Sequence, residues 1–127
     1  LEPPVTLASG VEVQFQQRGP DQTMPRPGPE AVVLVHYEGS LVSDGSVFDS
    51  SFQRGEPAQF PLNAVVPGFS EAIQEMRPGD EIVTTFPAAL GYGAEGRPPV
   101  IPPNSALRFR IRLLAFQAPD GSIVGHP

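Results

Sequence analysis

The sequence contains no cysteine and no lysine. Without cysteine there are no disulfides and no thiolate nucleophile, and the redox compartment leaves no trace. Without lysine all eight basic residues are arginine, against fourteen acidic ones, for a formal charge of −6. An acidic chain with no basic cluster is a poor match to nucleic acid, and no nucleic-acid partner is expected. Only two histidines occur, His36 and His126. Neither has carboxylates at metal-ligand spacing, so no metal is expected, and His36, inside an apolar run, reads as structural. No apolar stretch reaches the roughly 18 residues of a membrane helix, so no membrane insertion is expected. There is no G-x-S-x-G elbow and no phosphate loop. Gly91-Tyr92-Gly93 is a fragment of a glycine-rich loop without the strand–loop–helix setting. Nucleophilic, metal and phosphoryl-transfer mechanisms all lack parts, and no cofactor is expected.

Proline and glycine are plentiful, 17 + 13 = 30 of 127 residues. They punctuate apolar segments in the manner of short strands joined by many turns. Val11, Val13 and Phe15 alternate with Glu12, Gln14 and Gln16, a half-buried strand. Residues 18–30 carry four prolines and read as irregular. Ala31 to Leu41, rich in Val, Leu and Tyr, reads as a central strand. Ser43-Asp44-Gly45 is a turn. Val47-Phe48-Asp49 reads as a short strand ending at Ser50-Ser51, and Ala58 to Leu62 as another, with Pro61 marking an edge.

One segment has helical period: Phe69, Ala72, Ile73 and Met76 share a face, Pro67 suits a first turn, and Pro78-Gly79 stops the helix. At most three turns fit. Glu81 to Phe86 returns to strand, and residues 87–104, with five prolines and three glycines, form a long loop. Leu107, Phe109, Ile111 and Leu113 alternate with Arg108, Arg110 and Arg112, the clearest strand; the arginines read as its solvated face. The expected fold is α+β, an antiparallel sheet of about five strands wrapped around one short helix, whose single apolar face has only the sheet to pack against. Residues 1–9 read as an extension or linker, 10–117 as the domain and 118–127 as a tail. Leu1 in place of methionine leads to the expectation that an upstream segment has been removed.

A set of motifs remains. Val35-His36-Tyr37-Glu38-Gly39, Phe48-Asp49-Ser50-Ser51, Val65-Val66-Pro67-Gly68-Phe69, Gly91-Tyr92-Gly93 and Ile101-Pro102-Pro103-Asn104 before Leu107 follow one another in this order. Each is weak alone; five in order with fitting intervals, over about Gly10 to Phe116, resemble the FKBP family of immunophilin prolyl isomerases. The run from Arg54 to Leu62 resembles its bacterial macrophage-infectivity-potentiator branch, many of whose members work in the cell envelope. The resemblance therefore implies an envelope or periplasmic location, with cytoplasm as the alternative.

The resemblance implies an antiparallel sheet around a short helix, with an apolar pocket between them. It implies catalysis of cis–trans rotation at Xaa-Pro bonds by Asp49, Tyr92 and the Val66 backbone N–H. Tyr37, Phe48, Arg54, Val65, Phe69, Ile101 and Phe109 are implied to bind substrate. Asp49 is expected as a buried carboxylate satisfied by Tyr37 and Arg54. Proline-containing polypeptides are the implied partners, with macrolide inhibitors as a further ligand class. Phe69 stands where the family usually has tryptophan, and Ala58 where some members carry an aromatic residue; both reduce aromatic contact. A proline-peptide or macrolide-binding module with weak turnover is the alternative function, and isomerisation-independent chaperoning has no exposed apolar surface or added domain to support it. The loop at 87–104 holds no inserted domain and no histidine-rich tail follows, which argues against a metal-handling subtype. Nothing is long or helical enough for a dimerising segment, so a monomer is expected.

Overall fold

A computed structural model describes residues 1–125. Its strands are β1 (Val5–Thr6), β2 (Glu12–Gln17), β3 (Val32–Leu41), β4 (Val47–Ser50), β5 (Ala58–Pro61), β6 (Glu81–Phe86), β7 (Leu107–Gln117) and β8 (Ile123–Gly125). Two α-helices interrupt them, α1 (Ser51–Arg54) and α2 (Pro67–Ile73). All pairings are antiparallel. The order across the sheet is β1-β2-β6-β7-β3-β4, with β5 also on β3 and β8 also on β7.

The two long strands form the spine. Along β3 burial alternates at every residue, with Val33, Val35, Tyr37, Gly39 and Leu41 facing inward. Side chains on a strand point to opposite faces in turn, so one face is committed to a core. Along β7, Leu107, Phe109, Ile111 and Leu113 face inward, but then Ala115 and Phe116 are both buried. The break has a cause in the pairing. Leu34 faces Ala115 while Val35 faces Leu113, so Leu114 is an extra residue and the strand changes parity there. Because β3 is long, β4 and β5 share its outer edge, β4 beside Glu38–Ser40 and β5 beside Val32–Val35.

Helix α2 lies under the inner face. Val66 precedes it without a side-chain cap, and Pro67 occupies its first turn. Gly68, Phe69, Ala72 and Ile73 are its buried residues. A Cβ on Gly68 would fall 2.3 Å from the ring of Phe86, so the absence of a side chain sets how closely helix and sheet approach. The helix stops at Ile73, two turns in place of three, yet Met76 in the following turn remains fully buried on the same side.

The strand count exceeds the expected five, because short strands add to the margins. Part of the expected extension pairs with β2, and Glu2 forms an ion pair with Arg18 at 2.7 Å. Part of the expected tail pairs with β7. A two- or three-residue strand has too few positions to show a period, so composition alone does not reveal it. Helix α1 was hidden for the same reason; Ser50 caps it, its hydroxyl accepting from the Gln53 N–H at 3.2 Å. His126 lies outside the described residues.

Candidate active site

The inward residues of β3, β4, β7 and α2 leave a cavity of about 300 Å³ at one end of the core. Tyr37, Phe48, Asp49, Phe60, Val65, Val66, Phe69, Tyr92, Arg97 and Phe109 line it, with Ala64 at its edge. The aromatic rings are set edge to face. Phe69 lies 5.0 Å from Phe109 at 76°, 5.9 Å from Tyr37 at 86° and 5.9 Å from Phe60 at 87°. Phe48 meets Phe109 at 5.7 Å and 87°. Such pairs contribute about 0.5–1.5 kcal/mol each beyond burial, so the rings form a stiff lining. Gly39 makes the Phe48–Phe109 contact possible, because a Cβ there would sit 2.6 Å from both rings.

One wall is polar. The Tyr37 hydroxyl donates to one Asp49 oxygen and Arg54 donates to the other; Arg54 also donates to the Tyr37 hydroxyl at 3.2 Å. Three elements bring them together: β3 supplies Tyr37, β4 supplies Asp49 opposite Gly39, and α1 turns the chain so that Arg54 comes back over both. Burial raises the Tyr37 phenol above its usual value, and the hydrogen bond to the Asp49 carboxylate adds to the rise. Burial alone would raise Asp49 too, but the bonds from Tyr37 and Arg54 outweigh it and hold the carboxyl below the usual carboxylate range. At neutral pH the wall is therefore a phenol, a carboxylate and a guanidinium. Asp49 is less sheltered than the sequence suggested, its side chain being 40% exposed, and its partner Arg54 is itself 48% exposed.

Two further lining residues carry donors. The Val66 N–H precedes α2 and donates to no acceptor among the described residues. The Tyr92 hydroxyl accepts from Arg97 Nη1 at 3.2 Å. Arginine is donor-only, so this contact occupies a lone pair and leaves the phenolic proton for another acceptor.

The structure thus brings Asp49, Tyr92, Val66, Tyr37, Phe48, Val65, Phe69 and Phe109 to one cavity, with Arg54 behind Asp49. Ile101 does not join them: it is 2% exposed and outside the lining. Reciprocal backbone bonds between Arg97 and Ile101, at 2.8 and 3.0 Å, close a turn that directs Ile101 into the core and leaves Arg97 at the mouth. Sequence reading missed Phe60 and Arg97 as lining residues. Phe60 had a signal, since Ala58 and Phe60 are the two inward positions of β5 and Phe60 supplies the ring that Ala58 lacks. Arg97 had none, standing in an aperiodic proline-rich loop. His36 lies on the opposite face of β3, its Nδ1 2.9 Å from the Ser51 hydroxyl and its ring stacked on Phe52.

Residues 24–114 match the profile of the family described as FKBP-type peptidyl-prolyl cis-trans isomerase. The chain is 44% identical over 112 residues to the peptidyl-prolyl cis-trans isomerase Mip of Coxiella burnetii, covering 88% of this chain and 47% of that protein. It is 41% identical over 109 residues to FK506-binding protein 1A of Aspergillus fumigatus, covering 84% of this chain and 95% of that one. The crystal structure of FkpA from Escherichia coli superposes with a TM-score of 0.80 at 35% identity, over 98% of this chain and 53% of that one. The chain spans less than half the length of the bacterial relative Mip.

Proposed function

Because the chain belongs to the FKBP-type peptidyl-prolyl cis-trans isomerase family, we propose that it accelerates rotation about Xaa-Pro bonds in proline-containing polypeptides, within the aromatic cavity between α2 and the sheet. The observation that carries this reading is that every residue lining the cavity falls within the segment matched to the family.

Amide resonance sets a barrier of ~18–20 kcal/mol to rotation. At proline cis and trans differ by only about 0.5–1 kcal/mol, so equilibrium is easy and rate is the difficulty. No covalent bond breaks, and a site needs only to bind the twisted amide better than the planar one. Phe48, Phe69 and Phe109 offer the proline ring an edge-to-face box. The three rings present apolar surface, and planar resonance, which places charge on oxygen and nitrogen, is better solvated in water than against them. The Tyr92 hydroxyl and Val66 N–H would hold the flanking carbonyls, each bond contributing about 0.5–1.5 kcal/mol. A millionfold gain needs roughly 8 kcal/mol, more than any one of these groups supplies. The reaction moves no proton. Asp49, held ionised, serves as the fixed acceptor that orients Tyr37 and Arg54 and shapes the wall.

The test is the cis-to-trans rate of short Xaa-Pro peptides for wild type, Asp49→Val and Phe69→Trp. Acceleration that falls in the first variant and holds or rises in the second is expected. Folded wild-type protein that accelerates none of several peptides would sink the reading. A second reading, a macrolide- or peptide-binding module with weak turnover, draws on the relative named for FK506 and on Phe69 at the cavity floor. It predicts saturable FK506 binding without appreciable peptide turnover.

A further inference from the structure

Arg97 is the one charged residue lining the cavity that the mechanism above leaves without a task. Its backbone is firmly held although its side chain is exposed. The bonds to Ile101 anchor it to a fully buried residue, Pro98 and Pro99 stiffen the intervening turn, and the Gly96 N–H donates to the Tyr92 carbonyl at 3.1 Å. Gly96 adopts φ +65°, and a Cβ there would lie 2.5 Å from the Ile101 carbonyl oxygen, so the approach to Arg97 is sterically specified. The guanidinium rests 5.6 Å from the Tyr92 ring centre, held there by its bond to the hydroxyl.

Its charge is uncommitted. The cavity's acid, Asp49, is taken by Arg54. The remaining ion pairs among the described residues use Arg18, Arg110 and Arg112. Glu95, two residues away, forms none with Arg97. A single bond to a neutral phenol leaves most of the guanidinium's donors unused, and they stand at the mouth beside the hydroxyl assigned to a substrate carbonyl. A planar guanidinium in that position matches a carboxylate or a phosphate presented in the plane of its fork, and of the two only the carboxylate is a side-chain group of an unmodified polypeptide.

We propose that Arg97 is a specificity-determining residue that favours peptides carrying an aspartate or glutamate next to the proline. This rests on the reading that the cavity takes prolyl peptides. The chain's formal charge of −6 opposes acidic ligands at long range, so the preference depends on this one local contact. An exposed ion pair of this kind corresponds to about a two- to fivefold effect.

The experiment compares matched Glu-Pro, Gln-Pro and Leu-Pro peptides with wild type, Arg97→Gln and Arg97→Glu, reading both isomerisation rate and binding by amide shift titration. The Glu-to-Gln ratio within each variant is the readout, which cancels any general loss at the cavity. The expected result is a ratio of about two to five in wild type, near one in Arg97→Gln and below one in Arg97→Glu. Turnover of all three peptides with the same ratio in wild type and Arg97→Gln overturns this inference and leaves the isomerase reading intact. Binding that shows the ratio without turnover sustains the inference and overturns the isomerase reading. Neither binding nor turnover overturns both.

Discussion

Tyr92 brings to the proposed chemistry a phenolic proton whose neighbouring lone pair is already occupied by Arg97. Removing that hydroxyl deletes one hydrogen bond from a site that distributes its work. Tyr92→Phe is therefore expected to lower kcat/KM about two- to twelvefold, the equivalent of about 0.5–1.5 kcal/mol, and not to abolish it. Peptide kinetics on the folded variant decide the matter; complete loss would mean that one group supplies most of the acceleration. The residue scale also explains why this site was largely legible beforehand. Tyr37, Phe48, Asp49, Phe69 and Tyr92 are chemically distinctive and stand in spaced motifs. Arg97 and Phe60 were not singled out, because a lone arginine in a loop and one more phenylalanine in a strand look like surface and core.

At the scale of elements, the approach of α2 to β6 is set by one missing side chain. Gly68→Ala places a methyl group 2.3 Å from the ring of Phe86, which is fully buried. Overpacking of this kind costs about 1–3 kcal/mol, and a loss of unfolding free energy of that size, read from a lowered denaturation midpoint at unchanged m-value, is the expected outcome. A second element-level contact joins β6 to β7. Glu81, 12% exposed, accepts from Arg112 at 2.8 Å and from Arg110 at 3.1 Å. Burial alone would raise its carboxyl, but the two arginines outweigh this and lower it. A carboxyl lowered by folding contributes stability that is present above its unfolded value and is lost as pH falls through its folded value. Wild type is accordingly expected to exceed Glu81→Gln in stability by about 1 kcal/mol or less at neutral pH. The gap should close on acidification below roughly pH 4.5, and melting curves from neutral to acid pH test this. A gap that persists in acid would show that packing, and not charge, sustains it.

The whole molecule depends on a polar knot that composition does not disclose. Asp80 is fully buried, yet it is satisfied. One carboxylate oxygen accepts from the Gly19 N–H at 2.7 Å and the Gln22 amide at 2.8 Å, the other from the Arg77 N–H at 2.9 Å. The Asp80 carbonyl in turn accepts from the Leu113 N–H at 3.1 Å. One residue thus ties the irregular segment after β2, the turn after α2 and the spine strand β7. Truncation strands the buried Gly19 N–H and two part-buried donors, and a stranded buried donor costs about 1–3 kcal/mol. Asp80→Ala is expected to destabilise by at least that much and to accelerate hydrogen exchange at Gly19 and Arg77. Unchanged exchange at those amides would show that the segment is held by other means.

Period-two burial, helical period and turn residues depend on a residue and its near neighbours. Sequence alone therefore determined the long strands β3 and β7, the amphipathic face of α2 and the turns between them, and the spaced motifs determined the family. The helix end and the two- and three-residue strands β1 and β8 were not so determined, because a short element draws its stability from the partner it meets, not from its own composition. Only the tertiary structure decided that Ile101 turns into the core while Arg97 stands at the cavity mouth, since a backbone bridge between them sets both directions. It also decided that Asp49 is half open and that Asp80 is a buried hub. Each of these depends on contacts between segments far apart in the chain, and local pattern carries no information about what a side chain will meet.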